Sequence, residues 1–93
     1  LAPQFVESLG YPARYASLRP EALSLGEGGA DRKRFSGTVV ATSFLGAANR
    51  ITVEAVGSRV AAMIPASVDV PSHGSGVTLS FAAEDLHLMD EAA

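Results

Sequence analysis

The sequence is 93 residues long, enough for one domain, with 26 Val, Leu, Ile, Met and Phe side chains to build a single small core. Seven Lys and Arg against ten Asp and Glu leave a formal charge of −3, which argues against the concentrated basic face that a phosphate-backbone binder needs. Cysteine is absent, so disulfides, thiolate zinc sites and cysteine nucleophiles are excluded, and His73 and His87 are too few for a His-rich metal site.

Turn residues are frequent and periodic runs short, which favours strands over helices. Pro3 to Leu9 predicts one or two helical turns, with Pro at an early position and Gly10 just past the end. Tyr15 to Leu18 reads as a short extended segment, and Pro20 biases Arg19 towards extended geometry. Ala22 to Leu25 alternates, placing Leu23 and Leu25 on one face. Gly26-Glu27-Gly28-Gly29 forms a loop, and Asp31-Arg32-Lys33-Arg34 reads as its solvated edge. Phe35 to Leu45 is the longest predicted strand. Gly37 inside it marks a bulge or bend of the kind that lets one strand serve two sides of a small barrel.

Ile51 to Ile64 predicts a hairpin. Gly57-Ser58, with Gly first, suits a two-residue type II′ turn and sets Val56 opposite Arg59. One face then carries the pairs Ile51–Ile64, Val53–Ala62 and Ala55–Val60, all apolar, and the other carries Thr52–Met63 and Glu54–Ala61. Pro65 to Ser75 is a loop. In Gly76 to Phe81, Val77, Leu79 and Phe81 point inward and Thr78 and Ser80 outward. Ala82 to Asp85 turns the chain, and Leu86-His87-Leu88 is a last short strand with His87 outward. No apolar run reaches the roughly 18–20 residues of a membrane span, and no signal-peptide pattern is present. The chain opens on Leu1 rather than Met, which is expected of a piece of a longer protein and equally of N-terminal processing. The expected fold is all-β: a small β-barrel of about five short strands with one short N-terminal helix.

Three segments carry a family resemblance. Leu18-Arg19-Pro20-Glu21-Ala22-Leu23-Ser24-Leu25 resembles the Arg-Pro-Glu signature of the TOBE (transport-associated OB) domain of ABC-importer ATP-binding subunits. Gly37-Thr38-Val39-Val40 with Phe44-Leu45-Gly46 is similar to that family's G-x-V…F/Y-L-G strand, and Gly76 to Asp90 to its closing stretch, with Met89 in place of the usual Phe. The resemblance covers about Tyr15 to Asp90, so residues 15–93 are read as the TOBE domain and residues 1–14 remain unplaced. It implies an OB-fold-like β-barrel that serves as a C-terminal accessory domain of the ATPase of an importer for spermidine/putrescine, ferric iron or related solutes. Such a domain promotes pairing of two ATPase subunits and modulates transport. The implied partners are a second copy, the nucleotide-binding domain of the parent chain and, indirectly, the permease. The implied location is the cytoplasmic face of the membrane, as a peripheral part of a transporter. The residues matching the signatures are Arg19, Pro20, Glu21, Gly37, Leu45 and Gly46, with structural roles.

No Gly-Lys-Ser/Thr follows the glycines at 26–29, so this segment alone is not expected to hydrolyse ATP or to need a cofactor, and the resemblance implies that ATP and Mg are bound in the parent chain. No catalytic constellation emerges, since Glu84 and Asp85 are adjacent and neighbours diverge on an extended chain. Arg19 and Glu21, two apart on an extended segment, share a side and can bridge to each other or to neighbouring strands. The alternative function is a binding module for an oxyanion such as molybdate or sulfate, or for another small solute. Its nearest candidates are Asn49 and Arg50 after the Gly46-Ala47-Ala48 turn, where Asn49 otherwise serves by tolerating left-handed backbone. The aromatic residues are scattered, which with the negative charge disfavours nucleic acid as a partner.

Overall fold

The computed structural model describes residues 1–89. A helix, α1 (Pro3–Ser8), leads into β1 (Ala16–Ser17), a 3₁₀ turn (Pro20–Ala22) and β2 (Ser24–Leu25). The long β3 (Arg32–Phe44) follows, then β4 (Ala48–Ala55), β5 (Ser58–Pro65), β6 (Gly76–Ala82), a second 3₁₀ turn (Ala83–Asp85) and β7 (His87–Leu88). Five strands form one antiparallel sheet in the order β2-β6-β3-β4-β5, and β1 pairs separately with β7. The sheet curls until β2 and the first 3₁₀ turn lie against β5. The result is a small all-β, OB-like fold. Its seam runs between β2 and β5, which no ladder joins among the described residues.

β3 makes this curl possible because it belongs to two ladders. Arg32 to Thr38 pair with β6, and Thr38 to Phe44 pair with β4. The register slips between Val39 and Ala41, leaving Val40 as a bulge that bends the strand. Gly37 sits just before it. A Cβ there would lie 2.5 Å from Val53 Cγ1 and 2.6 Å from the Glu54 carbonyl oxygen, so any side chain would push β4 away. The expected bend is present, and its two parts are a glycine for close approach and a bulge shortly after it.

The β4–β5 hairpin corrects the expected register. The turn is Val56-Gly57, both residues with positive φ (45° and 76°), and Ala55 faces Ser58. This is the type I′ combination, and it pairs Val53 with Val60 and Ile51 with Ala62. The shift moves each partner by two residues, so the faces are unchanged: Ile51, Val53, Ala55, Val60, Ala62 and Ile64 are all buried. Burial alternation excludes odd slips and is blind to even ones. Tertiary contacts choose between them. The observed register brings Ser58 Oγ under the Ala2 N–H at 3.0 Å and sets Glu54 against Arg59, with 3.7 Å between Oε2 and Nε.

The N-terminal segment is part of the core. Phe5 and Val6 of α1 are fully buried, and the Phe5 ring meets Phe35 edge-on with centroids 4.9 Å apart. Phe81 lies beyond Phe35 at 6.3 Å, and Val39, Ile51, Val53, Leu23 and Leu79 complete the interior. Because α1 packs beside Gly57 and Ser58, it plugs the end of the fold formed by the β4–β5 turn.

Three other expectations change. Ser80, expected to face outward, is fully buried. Arg19 and Glu21 do not lie on one extended strand, since Pro20 opens a 3₁₀ turn between them. Arg32 to Arg34 begin β3 instead of edging a loop.

Phe5→Ala is expected to lower unfolding stability by about 3–5 kcal/mol, a large part of the roughly 5–15 kcal/mol available to a domain, as read by urea denaturation. Val56→Asn should act oppositely. Asn tolerates left-handed backbone far better than a β-branched residue, so a gain of about 1 kcal/mol and a melting temperature about 4–8 °C higher are expected by calorimetry.

Candidate functional site

The polar side chains divide into those the fold consumes and those it leaves to the surface. Arg32 belongs to the first group. Its Nε donates to Ser80 Oγ at 3.2 Å and its Nη2 to the Ser80 carbonyl at 2.9 Å, capping a buried hydroxyl that has no access to water. Arg34 donates to the carbonyls of Glu27 and Gly29, both at 3.2 Å, and so holds the glycine loop against β3. Lys33 Nζ lies 5.2 Å from the centre of the Tyr11 ring, a cation–π contact. The one basic cluster in the sequence is thus committed to internal contacts. Phe35 and Phe81 are committed too, as core residues rather than stacking platforms.

Exposed large apolar residues lie in several places: Tyr15, Leu88 and Met89 around β1 and β7, Val56 at the β4–β5 turn beside α1, Val68 after β5, and Phe44 and Leu45 at the end opposite α1. There the β3–β4 hairpin overhangs the sheet, with Phe44, Leu45, Gly46 and Ala47 all exposed at its tip. Leu45 N–H donates to the Ala48 carbonyl at 3.0 Å to close the turn, and Gly46 takes the left-handed backbone at φ 90°. Asn49, expected to serve that role, is already in β4. It pairs with Phe44 on one side and Ile64 on the other, while Arg50 pairs with Ser43 and Met63. Neighbours on a strand face opposite ways, so Asn49 and Arg50 do not converge on one ligand.

Beside this tip, along the seam, lies a cleft of about 350 Å³. Glu21, Leu23 and Leu25 form one wall, Met63, Ile64 and Pro65 the other, and Val68 stands at its edge. The volume is at the small end for ligand pockets. Its lining is apolar apart from Ser24 and the exposed carboxylate of Glu21. Of the signature residues, Glu21, Leu45 and Gly46 come to this end, with Arg50 exposed nearby. Arg19 is exposed ahead of the 3₁₀ turn, and Gly37 works inside the sheet. Sequence reading missed Met63 and Val68. The available signal was Met63 itself, a large apolar residue on the outward-facing side of the hairpin.

Among the described residues no three His, Asp or Glu side chains come together as a metal site. His73 and His87 are exposed on separate segments. No helix among them is long and apolar enough to cross a membrane.

A family model described as the TOBE domain matches residues 16–89. The chain belongs to the TOBE domain family. It is therefore a transport-associated domain, and the match spans every strand of the fold, from β1 to β7. The match begins after α1, although this TOBE domain buries Phe5 and Val6 of that helix in its core. The last residue of the closing motif, Asp90, lies outside the described residues. No similar protein emerges from a search of curated proteins.

Arg32→Ala is expected to reduce stability by about 1–3 kcal/mol, because the Ser80 hydroxyl would lose its donor in a buried position. Arg32→Lys should recover only part of this, since an ammonium cannot reach both oxygens as the guanidinium fork does. Chemical denaturation of the two variants beside the parent sequence checks the order.

Proposed function

We propose that this TOBE domain is the C-terminal accessory domain of the ATP-binding subunit of an ABC importer, where it promotes pairing of two subunits and so modulates solute import. The observation that carries this reading is the family match over residues 16–89. The surface supports it: the basic cluster is spent on internal contacts, and the hairpin tip that remains exposed is apolar. Phe44 is 75% exposed and Leu45 57%, an arrangement suited to association rather than to chemistry.

On this reading ATP and Mg are bound by the parent chain, in sites that form only between two paired subunits. A domain that favours pairing therefore favours transport without touching nucleotide. The domain sits at the cytoplasmic side of the membrane through its parent, and its contact with the permease is indirect. The solute, whether a polyamine, ferric iron or another, is not specified by the domain, because family membership does not define a transported substrate.

Light scattering across a concentration series tests the pairing. The expected outcome is a dimer emerging at high micromolar concentration, and a strict monomer there counts against the proposal. A thermal shift with millimolar molybdate or sulfate is the control: a rise of several degrees would favour the oxyanion-binding alternative. The sequence encoded upstream of Leu1 is a further check, since the reading requires a Gly-Lys-Ser/Thr loop there.

A further inference from the structure

The five-stranded sheet ends in two edge strands, β2 and β5, and the curl brings these edges together without a ladder between them among the described residues. Side chains join what backbone hydrogen bonds do not. Leu23 and Ile64 are fully buried where the edges meet. Beside them the contact opens into the cleft of about 350 Å³, whose rim holds Leu25 and Met63, both half-buried, and Val68, which is 41% exposed. That volume suits a body of roughly ten heavy atoms, at about 30 Å³ for each water-sized group.

One ionised group belongs to the cleft. Glu21 stands on its wall at the first 3₁₀ turn, exposed, with no hydrogen bond or ion pair among the described residues. The basic side chains are engaged elsewhere: Arg32 on Ser80, Arg34 on the glycine loop, Lys33 on Tyr11 and Arg59 beside Glu54. Arg50 stands on the far side of the apolar wall. It pairs with Met63 in register and shares its face, but on β4, the side of β5 away from β2. The potential across the cleft is therefore graded, negative at Glu21 and positive past Met63. Such a gradient favours a ligand with one positive end and an apolar body that carries no second cation towards Arg50.

We propose that the β2–β5 cleft is a binding site for a small organic monocation with an aromatic body: the ammonium group meets the Glu21 carboxylate, and the ring lies among Leu25, Met63 and Val68. Met63 suits a ring, because a flexible, polarisable thioether packs well against aromatic edges. The site is independent of the pairing role proposed above. A ligand held there also bridges β2 and the 3₁₀ turn to β5, two edges that no ladder ties among the described residues, so occupancy stiffens the seam. A shallow cleft with one exposed carboxylate binds weakly, with a dissociation constant on the order of 1 mM. Water screens the carboxylate, so the charge contributes about fivefold of that affinity.

Heteronuclear NMR titration of the whole labelled chain with phenethylammonium chloride tests the site at low salt, where exposed charges are least screened. The expected result is a saturable shift of the backbone amides of Glu21 to Leu25 and of Met63, Ile64 and Val68, with little change elsewhere. The neutral analogue 2-phenylethanol should move the same amides with about fivefold weaker affinity. The anion 3-phenylpropionate and the dication putrescine should bind more weakly than phenethylammonium. Glu21→Gln, at an exposed position, keeps the fold and should bring the ammonium to the affinity of the alcohol, while leaving the alcohol unchanged. Val68→Ser should weaken both alike. Equal affinity for ammonium and alcohol, or a Glu21→Gln chain that binds the ammonium as the parent sequence does, overturns the proposal by removing its charge recognition. Shifts that are absent at about 10 mM, or scattered over the surface without saturation, overturn the site itself. Tightest binding by putrescine or by the anion overturns the ligand class.

Discussion

The structure depends on one strand belonging to two ladders. β3 pairs with β6 over its first half and with β4 over its second, and the change of partner is confined to the stretch from Gly37 to Ala41. Without a bend the two ladders would continue as a flat sheet, and the inner faces of β4, β5 and β6 could not close over a shared core. The bend needs a backbone that β4 can approach within van der Waals contact, and an extra residue that tightens the local twist. Gly37 supplies the first and Val40 the second. Around that bend, Val39, Val53, Leu79 and Phe81 reach the same interior, and β2 is carried round to lie against β5.

The same geometry distributes the surface. A curled sheet of five strands has two open ends and a seam. Here α1 fills one end, while the overhanging β3–β4 hairpin and the β2–β5 seam define the other. Arg32, Arg34 and Lys33 are engaged by contacts within the chain, on Ser80, the glycine loop and Tyr11. The asymmetry is physical rather than compositional: the basic cluster is engaged locally, and the exposed apolar tip stands where no described element of the chain covers it.

Much of the fold was legible from the sequence, because burial alternation and turn residues act locally. The short helix ending at Gly10, the long strand with its internal glycine, the inward Val77-Leu79-Phe81 row and the buried face of the hairpin all follow from spacing. The hairpin register did not. Two registers that differ by an even number of residues bury the same side chains, and local turn chemistry favours Gly57-Ser58, since the observed Val56-Gly57 turn holds a β-branched residue at positive φ. Ser80 escapes the alternation for a related reason. Its spacing assigns it to the outer face, but the outer face at that point is roofed by the Arg32 side chain, which comes from 48 positions away. The candidate site was legible only in pieces: Glu21, Leu45 and Gly46 stood out as signature residues, while Met63 and Val68 did not.

By itself the sequence determined the class of fold, the identity of most core residues and the family, since each rests on short-range pattern or on motifs read in order. Tertiary structure decided which turn the hairpin uses, that residues before Ala16 belong to the core, and that Glu21 and Met63 line one cleft. Those outcomes depend on contacts between segments tens of residues apart. Such contacts select among arrangements that are locally equivalent, so no local pattern can record the choice.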